Sequence, residues 1–206
     1  MIKFENLEKK RQFIALLISL ILNTIVFACE VIIGYLIKSV NIVADGVDSF
    51  GDSLSYSIAI YGFFSVNKKN KDDSGMLMGI VQIFSAAFIL EEILRQIFLH
   101  NQADFSKSLI VALISMCINI ICAFLLWKAK HIELNMKAAL IFSFMDVFMN
   151  LYTILSCLIA IFIWPNEILD IIGGSLFFII ISYAAIKIFI ERSKRVNELK
   201  NTIVVQ

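Results

Sequence analysis

Residues 12–37 read QFIALLISLILNTIVFACEVIIGYLI, a stretch with a single charged residue, Glu30. Roughly 20 mostly apolar residues, rising 1.5 Å each, cross a bilayer core of about 30 Å. This stretch is therefore a membrane span rather than a helix of a soluble core. The basic Lys9, Lys10 and Arg11 precede it. The apolar run is far longer than the core of a secretory signal and has no small-x-small cleavage site at the expected place, so it reads as a retained first span. Five further apolar stretches follow, at about 41–66, 75–99, 107–128, 136–163 and 168–191. Runs this long exclude the alternating strands of a barrel. Only helices then satisfy the backbone in lipid. The expected architecture is an all-α membrane protein, a six-transmembrane-helix bundle, with residues 1–206 forming a single transmembrane domain. Composition agrees: 60% of the residues are hydrophobic and the mean hydropathy is +0.87, above the range of about 45–50% apolar for soluble domains.

The connections are short: Lys38 to Asn41, 67–74 (NKKNKDDS, read as a solvated turn), His100 to Ser106, Ala129 to Asn135, and Trp164 to Glu167 with the only proline, Pro165. Lysines and arginines alternate between the two sides. One side receives Lys3, Lys9, Lys10 and Arg11, then Lys68, Lys69 and Lys71, then Lys128, Lys130 and Lys137, then Arg192, Lys194, Arg195 and Lys200; the other receives Lys38, Arg95 and Lys107. By the positive-inside rule the N- and C-termini are both cytoplasmic, in a multi-pass protein of the cell membrane. About eleven residues follow Arg195, so no soluble C-terminal domain is expected. With a net charge of +1 and no basic patch interleaved with aromatics, nucleic acid is not an expected partner. Cys29, Cys117, Cys122 and Cys157 all fall in apolar runs and read as small buried hydrophobes. Glu91 and Glu92 stand beside Arg95 and suggest a local ion pair.

Acidic residues inside spans cost roughly 2.5–3.5 kcal/mol each at mid-membrane, and they usually face the bundle interior along ion pathways. The first span carries Asn23 and Glu30, the second Asp45, Asp48 and Asp52, and the fifth Asp146 with Asn150 one turn on. Asp48 and Asp52 are four apart, so they share a helix face, and Asp45 lies on that face nearer the outer surface. Two carboxylates so close in a low dielectric are compatible only when a cation sits between them or one holds a proton. At 1.5 Å per residue, Asp48 and Asp52 lie roughly 10 and 16 Å below the outer surface, and Asp146 roughly 15 Å above the inner one. Asp52 and Asp146 then come together near the midplane. Asn23 and Glu30 are equally readable as helix–helix hydrogen-bond partners.

These residues resemble the cation diffusion facilitator family. The resemblance lies in Asn23, Glu30, Gly34 and Ser39, in the ADGVDSFGD of residues 44–52, in Asn135-Met136-Lys137-Ala138-Ala139 opening the fifth span, in Asp146, in Asn119, and in the approach to the last span from Trp164 to Asp170. It covers essentially the whole chain. The resemblance implies a divalent-metal transporter, usually a metal/proton antiporter that exports zinc or a related metal, with Asp48, Asp52 and Asp146 as ligands. It also implies a homodimer in the lipid bilayer, with no permanently bound cofactor beyond the transported metal and protons. At the family's fourth ligand position, where zinc-type members have histidine, this chain has Phe142, which cannot ligate. The family's cytoplasmic metal-binding domain is not expected either. An all-oxygen site remains, which suits manganese or iron(II) as well as zinc; Ser143, Asn150 or a water is expected to complete it, with Asp45, Asn23 and Glu30 as further pathway residues. His100 and His131 lie in connections. Gly34, Gly46, Gly51 and Gly62 are expected at close helix contacts. No nucleophile–base pair and no HExxH motif point to an enzyme. The competing readings are a degenerate, non-transporting membrane subunit and a carrier of organic cations.

Overall fold

The computed structural model describes residues 2–64, 68–99, 103–129, 134–164 and 166–204, with side chains at 9–61, 64, 73, 74, 76–99, 103–129, 136–164 and 166–194. His100, His131, Pro165 and the surroundings of Gly62 lie outside these residues. The described residues form six helices: α1 (Ile2–Ile37), α2 (Val40–Phe63), α3 (Lys68–Leu99), α4 (Phe105–Ala129), α5 (Leu134–Phe162) and α6 (Ile168–Val204). No strand occurs among the described residues. The 67–74 stretch, expected as a turn, is helical from Lys68 onward. Apolarity marks where a helix meets lipid, and lysine-rich sequence continues a helix readily into water.

Five helices carry long apolar windows: Lys9–Ile37, Met76–Leu99, Phe105–Ala129, Met136–Phe162 and Ile168–Lys194. Their outward faces expose Ile21, Ile25, Phe84, Phe88, Ile114, Phe148 and Ile179. Apolar surface this extensive is a lipid-facing skin. α2 does not qualify as an apolar window, and its position explains why. It packs against all five other helices. Among its described side chains only Phe50, Leu54, Ser57 and Tyr61 are exposed, spaced as one narrow stripe. Two of the cysteines depart from expectation: Cys122 and Cys157 are buried, but Cys29 and Cys117 lie on the outer face.

Small residues set how closely α1 and α2 cross. A Cβ added at Gly46 would stand 2.9 Å from the Val31 backbone nitrogen, and one at Gly34 would stand 2.9 Å from the Val43 nitrogen. The turn between these helices is equally tight. Lys38 adopts φ 57°; the Ser39 N–H donates to the Gly34 carbonyl at 3.1 Å and the Lys38 N–H to the Tyr35 carbonyl at 3.4 Å. This is a Schellman closure of α1 with lysine in the left-handed position. Ser39 then caps α2, its Oγ accepting from the Ile42 N–H at 3.4 Å.

α6 completes that cap. The carboxylate of Asp170, itself buried, accepts from Ser39 Oγ at 2.9 Å and from the backbone N–H groups of Val40 and Asn41. A negative charge on the otherwise unpaired N–H groups of a helix start is favourable. The α1–α2 turn is held from another side by the Asp104 N–H, which donates to the Ile37 carbonyl at 2.9 Å. Asp104 also caps α4, and the side-chain hydrogen bond from Lys107 holds its carboxyl below the usual range. Asp170→Ala is expected to lower the stability of the purified protein by on the order of 3 kcal/mol, because it strands buried donors. Asp170→Asn, which keeps an acceptor, should lose less. Thermal melts followed by tryptophan fluorescence read the difference; equal melting temperatures for wild type and Asp170→Ala would remove the cap from the stability account.

Candidate cation site

Two apolar layers bracket the middle of the bundle. One joins Leu16, Tyr56, Met78, Leu126, Met136, Phe142 and Ile188 toward the end that holds the chain termini. The other joins Val40, Ala44, Ile89, Ile93, Met149 and Phe177 toward the α1–α2 turn. On α2 the interval between these layers is 45–55, and on α5 it is 143–148. Asp48, Asp52 and Asp146 fall in it, all buried. The side chain of Asp146 lies within hydrogen-bonding reach of both Asp48 and Asp52. The three carboxyls meet as these two pairs; among the described residues no three His, Cys, Asp or Glu side chains stand together as a ready-made metal cluster.

Asp52 is the most firmly held. Tyr56 OH donates to its Oδ2 at 2.8 Å, and Gln82 Nε2, reaching in from α3, donates to its Oδ1 at 2.6 Å. Asp48 Oδ1 and Asp146 Oδ1 are buried and receive no hydrogen bond, and the same is true of Ser143 Oγ and Gln82 Oε1. Buried polar atoms without partners are rare in folded proteins. A layer rich in unpaired oxygens is a donor set suited to a hard or borderline dication.

Toward the α1–α2 turn lies a second group. Glu30 from α1 is in side-chain contact with Asp45 from α2. Ser115 Oγ of α4 donates to Glu30 Oε1, and Asn150 Nδ2 of α5 donates to Asp45 Oδ1 at 3.3 Å and to the Asp146 carbonyl at 3.1 Å. Gly46 makes this possible, since α1 could not otherwise bring Glu30 so close. Asn23 does not join either group. Its amide donates to the Ser19 carbonyl at 3.0 Å and contacts Cys122 Sγ at 3.7 Å, bridging α1 to α4. Phe142 is packed in the apolar layer. Arg95 pairs with Glu92 through Nε at 2.8 Å and through its terminal nitrogen, while Glu91 is exposed. The side chain of Asn135 lies outside the described residues.

The termini end carries its own ion pairs. Lys137 Nζ meets Glu191 at 2.8 Å and Arg192 meets Asp73 at 2.6 Å, tying α5 and α3 to α6. Two shallow clefts open at the same end, one of about 550 Å³ between α2 and α3 beside Ser57, Tyr61 and Asp73, and one of about 500 Å³ between α1 and α4 beside Arg11 and Lys128. Asp48, Asp52 and Asp146 do not line either cleft. Gln82, Tyr56 and Ser115 went unnoticed in the sequence. Gln82 and Ser115 are lone polar residues in apolar runs and Tyr56 sits among serines, and the spacing of a single helix cannot reveal a partner on another.

The bundle has an apolar skin and carboxyl groups closed inside it, and such groups in membrane helices commonly lie along ion pathways. The cation efflux transmembrane domain matches residues 16–195, and the chain belongs to that family, the cation diffusion facilitators. It is thus a multi-pass membrane cation transporter rather than an enzyme. A search of curated proteins finds no match to the chain.

Proposed function

We propose that this transporter carries a divalent metal out of the cytoplasm in exchange for protons, using Asp48, Asp52 and Asp146 as the transport site. One observation carries the reading: two carboxyls of α2, Asp48 and Asp52, meet Asp146 of α5 between two apolar layers, and among the described residues no lysine or arginine pairs with them. Carboxyl groups in contact need a proton or a cation to coexist. The same pair of helices is therefore stable in two loaded forms, protonated or metal-bound, and exchanging one for the other couples the two fluxes. Metal reaches the site from the cytoplasmic end, displaces protons and is released outward when external protons return, because ligands must be deprotonated to bind metal. The oxygen-only donors support manganese, iron(II) or zinc as cargo, with manganese and iron(II) favoured over what an imidazole site would select.

Uptake into everted membrane vesicles or proteoliposomes tests this. With the lumen acid relative to the bath, uptake of manganese, iron(II) or zinc should be rapid, and it should collapse when an ionophore dissipates the pH gradient. Uptake that ignores the gradient would reject proton exchange. An organic-cation carrier would instead show metal uptake displaced by quaternary amines, and a non-transporting subunit would show no uptake at all.

A further inference from the structure

We infer that Gln82 supplies the oxygen that replaces the missing fourth ligand of the Asp48–Asp52–Asp146 site, and that it biases the site toward oxygen-preferring dications. The inference deepens the transport-site reading and rests on it.

The position that would normally complete such a site is filled by Phe142, which is buried in an apolar layer and offers no lone pair. Gln82 approaches from α3. It is 1% exposed, and its Nε2 donates to Asp52 Oδ1 at 2.6 Å. Its Oε1 is buried and accepts no hydrogen bond. Standard amide geometry puts that oxygen about 2.3 Å from Nε2, so it lies within about 5 Å of Asp52 Oδ1. Two oxygens on one magnesium- or manganese-sized ion stand up to about 4.2 Å apart. The terminal torsion of glutamine is broad and soft, so a modest turn presents Oε1 to an ion shared with Asp52.

The chain also makes room for this side chain. Gly51 precedes Asp52 on α2, and a Cβ there would stand 2.7 Å from Gln82 Oε1 and press on Ser85 Oγ. Any larger residue at 51 would push Gln82 away from the carboxylate. A neutral amide oxygen is a hard donor, whereas imidazole suits zinc. Gln82 is thus a ligand whose exchange should alter which metal is preferred, beyond how tightly metals bind.

The test measures binding of manganese(II) and zinc(II) separately to purified full-length protein in detergent, by calorimetry, with melting temperatures taken in parallel. Gln82→His should move the zinc-to-manganese affinity ratio toward zinc by about tenfold or more, and Gln82→Leu should weaken manganese by about tenfold or more. Ser143→Ala removes the competing oxygen and serves as the comparison, while Cys117→Ala, on the outer face of α4, should leave the ratio within about twofold. The inference is overturned by an unchanged ratio in Gln82→His, or by Ser143→Ala reproducing the loss while Gln82→Leu does not. Should Gln82→Leu misfold, the Gln82→His ratio alone decides. Failure of the underlying site looks different: the wild type binds neither metal, or Asp52→Asn binds both as the wild type does.

Discussion

Asp52→Asn and Asp146→Asn are each expected to reduce proton-driven metal flux by more than about 100-fold, while the protein still inserts and purifies as the wild type does. Altering a group that merely supports a metal ligand already changes affinity by roughly 10–100-fold, and these changes remove ligands outright. The asparagine forms are chosen for a structural reason. Asp52 accepts from Tyr56 and Gln82, and alanine would strand both buried donors at about 1–3 kcal/mol each. Asparagine keeps an acceptor, so loss of flux reports the lost charge. The measurement is initial uptake rate per folded transporter in proteoliposomes under a fixed pH gradient. Rates equal to wild type in either variant would take that residue out of the transport step.

Gly46→Leu is expected to prevent recovery of folded, monodisperse protein. The space a side chain would need at Gly46 is occupied by main chain, with the Val31 nitrogen 2.9 Å from the Cβ position and Glu30 Cβ at 3.0 Å. Overpacking a core costs about 1–3 kcal/mol when neighbours can yield; here the neighbour is a helix backbone, so α1 must separate from α2. That separation would also pull Glu30 away from Asp45. Gly79→Ala provides the contrast. Its new Cβ would meet only ordinary contacts, the nearest at 3.5 Å, and alanine favours helix over glycine by roughly 0.8–1.0 kcal/mol. It should be neutral or stabilising. Size-exclusion profiles and thermal melts in the same detergent compare the two. A normal profile for Gly46→Leu would mean that the α1–α2 crossing has slack its geometry does not show.

These predictions draw unequally on what could be read from the sequence. The six helices among the described residues followed from the apolar runs, because lipid imposes one period on every helix that crosses it, although α2 has no long apolar window and α3 starts earlier than its apolar run. The position of Asp146 level with Asp52 followed from counting residues along two antiparallel helices. The partners that hold these groups did not. Gln82, Tyr56 and Ser115 reach their carboxyls from particular rotations of α2, α3 and α4, and rotation is set by packing that apolar runs do not encode. Asp170 is a similar case. It marked only the approach to the last helix, and its role as a cap exists because α6 begins where α1 turns into α2. Glu30 stood evenly between helix bridge and pathway residue; it is in contact with Ser115 and Asp45 together.

The narrow exposed stripe on α2 bears on how the protein is made. With three aspartates, each opposed by roughly 2.5–3.5 kcal/mol when it stands at the centre of a membrane helix, α2 has little reason to leave the translocon for lipid alone. Its neighbour α1 is already strongly apolar, is joined to it by a two-residue turn, and offers Thr24 to Ser53 at 3.2 Å together with a glycine-matched face. The two are therefore expected to partition sideways as one prepaired unit, with α3 and α5 covering the acidic face once they are made.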